Sequence, residues 1–137
     1  CANAALEEVE AALAQEEIAT ERFWIGREPL TGCLGCGFCA SQGRCCYDDA
    51  VNRFLERAEA CDGFVFGAPV HFASAAASMV AFLDRAFFVD HCAGLGRFAW
   101  KPAAAVVSAR RAGTTAALDE LNKYFLYVQM PIVSSRY

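Results

Sequence analysis

Two short apolar runs most constrain what this chain can fold into: Phe64-Val-Phe-Gly-Ala68, stopped by Pro69, and Ala103-Ala-Ala-Val-Val-Ser108. Neither alternates polar with apolar residues, so each reads as a strand covered on both sides, as in the interior of a parallel sheet. Helical patterns lie around them. Asn3 is expected to cap a first helix, with Leu6, Val9 and Leu13 at helical spacing up to residue 15. Asp48 or Asp49 is expected to cap a second, whose Val51, Phe54, Leu55 and Ala58 share one face before Asp62-Gly63 breaks it. A third runs from Ser74 to about residue 88 through Val80, Leu83 and Phe87. A fourth runs from Thr114 to about residue 127 through Leu118, Leu121 and Phe125. The alternation of Ile18–Ile25 predicts a strand ended by Gly26, and Met130–Ser134 predicts the start of a last one. A long loop, residues 27–47, and an irregular stretch, residues 91–101, complete the chain.

The order α-β-α-β-α-β-α-β implies an α/β fold, a three-layer open parallel sheet with helices on both faces. Such a sheet should begin with a strand, yet the first element is a helix. A leading strand and its loop into Asn3 are therefore expected to be missing from the chain, and both ends read as cut. At 137 residues, 1–137 is expected to be a single domain large enough for a proper core. A composition 56% hydrophobic and 20% charged excludes disorder. With a net charge of −4 and scattered arginines, no basic stripe exists, which argues against a nucleic-acid partner. No apolar run reaches the roughly 18 residues that span a bilayer, and no leader pattern opens the sequence. No membrane association is expected.

Parallel strands joined by helical crossovers send their following loops to one edge of the sheet, where ligands of such folds gather. Three loops qualify: the one after Ile25, residues 69–74, and residues 109–113. The first carries Cys33, Cys36, Cys39 and Cys45 in a C-x2-C-x2-C-x5-C array. Thiols at a repeat of three, separated by small residues, can turn inward around one soft centre, with glycines relieving the tight winding. The spacing leaves several readings open: an iron–sulfur cluster, free thiols, oxidised pairs, or zinc, whose sites more usually use two separated C-x2-C knuckles. A disulfide framework does not suit a chain with this large an apolar inventory, so the eight cysteines imply a reducing, cytoplasmic setting.

The chain resembles the NAD(P)H-dependent FMN reductases of flavodoxin-like fold and, among them, the iron–sulfur flavoproteins. The resemblance rests on Phe23-Trp-Ile-Gly26, the cysteine array with Asp48-Asp49, and Ala60-Cys-Asp-Gly-Phe-Val-Phe-Gly-Ala-Pro-Val70. It continues through Phe82-Leu-Asp-Arg85, Lys101-Pro-Ala-Ala-Ala-Val-Val-Ser-Ala-Arg-Arg111 and Leu121-Asn-Lys-Tyr-Phe125. It implies FMN at the sheet edge, with Pro69, Val70, His71, Phe72 and Ser74 beside the isoalloxazine ring. Ser108, Arg110, Arg111 and Gly113 would lie on its pyrimidine side. Asn3 would stand at the phosphate end, where most of the family's phosphate loop is not in this sequence. The array would hold a [4Fe–4S] cluster on Cys33, Cys36, Cys39 and Cys45, with Cys46 a competing thiol.

The implied function is an FMN-dependent oxidoreductase passing electrons from NAD(P)H to an unidentified acceptor, as a homodimer or tetramer, with no catalytic side chain of its own assigned. One alternative is a flavodoxin-like carrier without NAD(P)H activity. Another is a flavin enzyme whose cysteine loop is structural or redox-sensing. Beyond these sites, Cys61 is expected in the core, His91 on a surface loop, Trp24 and Trp100 in packing, and Asp84 and Arg85 in ion pairs that stabilise the fold or a neighbouring subunit.

Overall fold

The computed structural model describes residues 2–134. Five helices and three strands follow in the order α1 (Ala2–Gln15), α2 (Phe38–Gln42), α3 (Ala50–Ala58), β1 (Phe64–His71), β2 (Ser74–Ala75), α4 (Ala77–Ala93), β3 (Ala103–Ser108) and α5 (Thr114–Tyr127). The sheet order is β2-β1-β3. β1 and β3 pair in parallel from Phe64↔Ala103 to Pro69↔Ser108, while β2 returns antiparallel to β1. The sheet is therefore mixed, not wholly parallel, because the chain after β1 doubles back in a hairpin before it enters α4.

Side chains of Phe64, Phe66 and Ala68 share one face of the sheet with Ala103, Ala105 and Val107, and there they meet α3, α4 and α5. Phe54 of α3 is the hub, with its ring 5.0–6.3 Å from those of Phe23, Phe64, Phe66, Phe82 and Phe98. Truncating such a ring costs about 3–5 kcal/mol. The opposite face carries α1. It can lie close because position 67 is glycine: a Cβ there would stand 2.6 Å from Leu6 Cδ1. Helices thus cover both faces, unequally.

Several sequence expectations are corrected. Residues 18–25 form no strand; no described segment offers them a ladder, and Phe23 instead packs on Phe54 and Phe82. Asn3 does not cap α1, which already begins at Ala2, so its side chain lies exposed in the first turn. Cys1 lies outside the described residues. The third helix starts at Ala77 and runs on to Ala93, ended by Gly94 in the left-handed conformation at φ 62°. His91 is consequently a helix residue, with its Nε2 3.1 Å from the Tyr127 hydroxyl. Met130–Ser134 contributes a single parallel bridge, Ala103↔Ile132. Trp24 and Trp100 are 67% and 77% exposed and pack on no core. Asp49 does cap α3, accepting from the Val51 N–H at 3.0 Å, and β3 and α5 keep the expected bounds.

Candidate functional site

β1 is not stopped by Pro69 but runs on to His71, three residues past its apolar run, and turns at Phe72 and Ala73. Both adopt the left-handed region, at φ 52° and 62°. A two-residue hairpin turn demands this twist, and for residues with a Cβ it costs on the order of 1–2 kcal/mol each. Glu120 of α5 holds the turn from behind. Its carboxylate accepts from the Ser74 hydroxyl at 2.9 and 3.2 Å and from the Ala75 N–H at 2.8 Å. The Ala76 N–H adds a bond to the Pro69 carbonyl at 3.0 Å. The fixed turn thrusts the Phe72 ring wholly into solvent.

The second loop arrives beside the first because Ser108 pairs with Pro69. Contact is closest at Gly113, where φ is +94° and a Cβ would fall 2.6 Å from Ala73 Cα and 3.2 Å from Val70 Cγ1. Only glycine lets the two backbones meet there. Arg110 and Arg111 stand exposed on this loop. Beside the hairpin is a solvent-open depression of about 750 Å³, lined in part by Gly32, His71, Phe72, Ser74, Asp84 and Glu120. Asp84 accepts from the Tyr124 hydroxyl at 2.5 Å; burial and this carboxylate hold the Tyr124 phenol well above its usual range. Of the sequence-expected flavin residues, the structure brings Pro69, Val70, His71, Phe72, Ser74, Ser108 and Gly113 together. Asn3 is on α1.

The cysteines gather at a second, narrow concavity whose wall includes Cys33, Cys36, Cys39, Cys45 and Cys46. Gly35, Gly37 and Gly43 take the positive φ values of 63–72° that the winding needs. Cys39 is buried on the short helix α2; burial first, and then the neighbouring Cys92 thiol, push its pKa up. The Cys36 thiol is lowered by the Phe38 backbone N–H and by Cys46, whose sulfur lies 3.6 Å away. Cys46 is raised by the same contact. The seven described cysteines are all free, and Cys61 is only part-buried, its thiol donating to the Arg57 carbonyl.

Gly32 lines both concavities, and neighbours on α4, Asp84 and Arg85, face one each. The cysteine loop and the hairpin after β1 therefore border one continuous region, and the second loop joins it through the hairpin at Gly113. Among the described residues, no three His, Cys, Asp or Glu side chains converge on a point that would hold a single ion.

Three contributors have partners in the site that local sequence reasoning did not reach. Asn52, 4% exposed, clamps Cys45: its Oδ1 accepts from the Cys45 N–H at 2.8 Å, and its Nδ2 donates to the Cys45 and Tyr47 carbonyls at 3.1 and 2.9 Å. Arg85, 1% exposed, pairs with Asp49 and also donates to Cys45 Sγ. Burial opposes its charge, but Asp49 and Cys45 outweigh it and raise its pKa. Glu120 is the third. An amphipathic pattern marks all three as helix residues and gives no sign of partners that lie 5 to 46 positions away.

The profile of the NADPH-dependent FMN reductases matches residues 1–137. The chain belongs to that family. Membership agrees with the α/β architecture, which is consistent with the flavodoxin-like fold of that family. Similar proteins include an iron-sulfur flavoprotein of Methanocaldococcus jannaschii, 28% identical over 128 residues, which cover 89% of this chain and 63% of that one. Another, from Methanosarcina thermophila, is 33% identical over 66 residues, 48% of this chain and 35% of its own. A third, from Archaeoglobus fulgidus, is 28% identical over 89 residues, 65% of this chain and 39% of its own. The chain thus spans less than two thirds of the length of each of these relatives. No described helix is long and apolar enough to cross a membrane.

Proposed function

We propose that this chain is an FMN-binding domain of an oxidoreductase that takes electrons from NAD(P)H and hands them to a second acceptor through the cysteine region. The observation that carries the reading is the shared wall at Gly32: the depression beside the β1 hairpin of a flavin-family fold and the cysteine-lined concavity meet there. When bound, FMN would accept hydride from the nicotinamide and a [4Fe–4S] cluster would take single electrons. Cys33, Cys36, Cys39 and Cys45 would hold the cluster. The rigid turn at Pro69, Val70, His71, Phe72 and Ser74 would flank the flavin ring, and Ser108, Arg110, Arg111 and Gly113 its pyrimidine side. Arginine and backbone N–H groups there favour the anionic charge of reduced flavin. Asn3, on the first turn of α1, would approach the phosphate. The protein works in a reducing cytoplasm as a homodimer or tetramer.

The test is anaerobic mixing of the intact, flavin-loaded protein with NADPH or NADH. Rapid bleaching of the flavin bands supports the reading. Bleaching only after a separate reductase is added would make the protein an electron carrier instead. A second reading of the loop is favoured by the 3.6 Å approach of Cys36 and Cys46, the geometry of a thiol pair that can oxidise. Reactive thiols with negligible acid-labile sulfide in anaerobically purified protein would select it.

A further inference from the structure

Arg85 is the most deeply buried charge in the described chain, at 1% exposure, and it sits on the cysteine concavity, not in a core of its own. Its Nη1 and Nη2 grip both oxygens of Asp49 at 2.7 and 3.0 Å. That pair is the stabilising ion bridge the sequence leads one to expect. The rest of the guanidinium is directed elsewhere: Nε and Nη2 point at Cys45 Sγ from 3.3 and 3.2 Å. The Tyr47 ring covers one face of the group at 4.9 Å, shielding it from water. The same Cys45 is held by its backbone through Asn52. A fold that needed only the Arg85–Asp49 bridge would not need two N–H groups of a permanent cation aimed at one sulfur.

We propose that Arg85 is a positioning residue for the metal site: its two charged N–H···S bonds fix Cys45 as a ligand and raise the reduction potential of the cluster it holds. The inference rests on the cluster reading above and extends it to this chain's own second layer of contacts. The step affected is a one-electron reduction in which no proton moves and no bond at Cys45 is broken. Added negative charge is shared with the sulfur ligands, so a cation hydrogen-bonded to one of them favours the reduced state. Asp49 opposes this as a nearby anion, and the pair therefore predicts shifts of opposite sign.

The test is a dithionite titration of intact, cluster-loaded protein, followed by EPR, for wild type, Arg85→Gln, Arg85→Lys and Asp49→Asn. In Arg85→Gln the reduced-to-oxidised ratio at a fixed potential should fall about tenfold, a shift of about 59 mV to more negative values for a one-electron couple. Arg85→Lys keeps the charge and loses the fork, so its shift should be smaller and of the same sign. Asp49→Asn should lose thermal stability as the arginine variants do, yet shift the potential upward or leave it in place. A loaded Arg85→Lys or Arg85→Gln with the wild-type potential overturns the inference and leaves the cluster reading standing. If Arg85→Gln fails to fold, Arg85→Lys and Asp49→Asn decide it: shifts of the same sign in both overturn it. Wild-type protein without iron and sulfide overturns the cluster reading and this inference with it.

Discussion

Asn52→Asp is the most economical perturbation of the cysteine region, since it changes one group of the same size at a position 4% exposed. The acceptor side survives: a carboxylate oxygen can still take the Cys45 N–H. The donor side is lost, leaving the carbonyls of Cys45 and Tyr47 facing an anion where they now receive bonds of 3.1 and 2.9 Å. Each abandoned buried acceptor costs about 1–3 kcal/mol, so the change should destabilise by about 2–6 kcal/mol. At about 3–5 °C per kcal/mol for a domain of this size, the melting temperature should fall by at least about 6 °C. The introduced carboxyl should have its pKa raised in the folded state, because the carbonyls repel its anion. Its penalty is therefore full above the folded-state pKa and shrinks as pH falls through it, when protonation restores one donor. Thermal melts from neutral to acidic pH, alongside iron content after anaerobic reconstitution, read both effects. A variant that melts like wild type and loads iron fully would refute the claim that Asn52 sets the position of Cys45.

Gly113→Ala should weaken FMN binding by separating the two edge loops, with a cost of about 1–3 kcal/mol from overpacking added to the strain of a positive φ. Gly94→Ala is the matched control, with φ 62° and nothing within 4 Å of the added carbon, and should leave flavin affinity unchanged in a fluorescence titration. Glu120→Ala should lose about 1.5–3 kcal/mol of support for the hairpin and loosen FMN about 10–100-fold, measured the same way; an unchanged affinity would show that the turn holds itself. Asp90 is a different kind of site: burial raises its carboxyl pKa although the Arg97 N–H donates to it at 3.0 Å. Its ionisation thus costs stability above its folded-state pKa and nothing below its unfolded one. Asp90→Asn, which keeps the acceptor, should be more stable than wild type at neutral pH, with the gap closing in acid melts.

Local pattern reached the elements whose reasons are local. β3 and α5 were readable because an unbroken apolar run and a helical spacing of apolar residues define them alone. The cysteine array was legible as chemistry because its spacing is improbable by chance. Residues 18–25 misled because alternation describes a strand's faces and says nothing about whether a ladder partner is there. Trp24 and Trp100 misled because large aromatic residues are usually buried, and here 67% and 77% of their surfaces are exposed. The hairpin after Pro69 escaped because neither Phe72 nor Ala73 is a residue that favours positive φ; Glu120, 46 positions from Ser74, holds them in it. Arg85 was legible as half of an ion pair, and its second partner, Cys45, lies 40 positions away.

The central claim is that one continuous region carries both a flavin edge and a cluster site. It is tested most directly by the anaerobic visible spectrum of the intact protein, with iron and acid-labile sulfide counted per flavin. The account predicts flavin bands riding on broad iron–sulfur absorption, with iron and sulfide in the equal proportions of a [4Fe–4S] cluster. Flavin bands alone, with negligible sulfide and titratable thiols at Cys33, Cys36, Cys39 and Cys45, would contradict it.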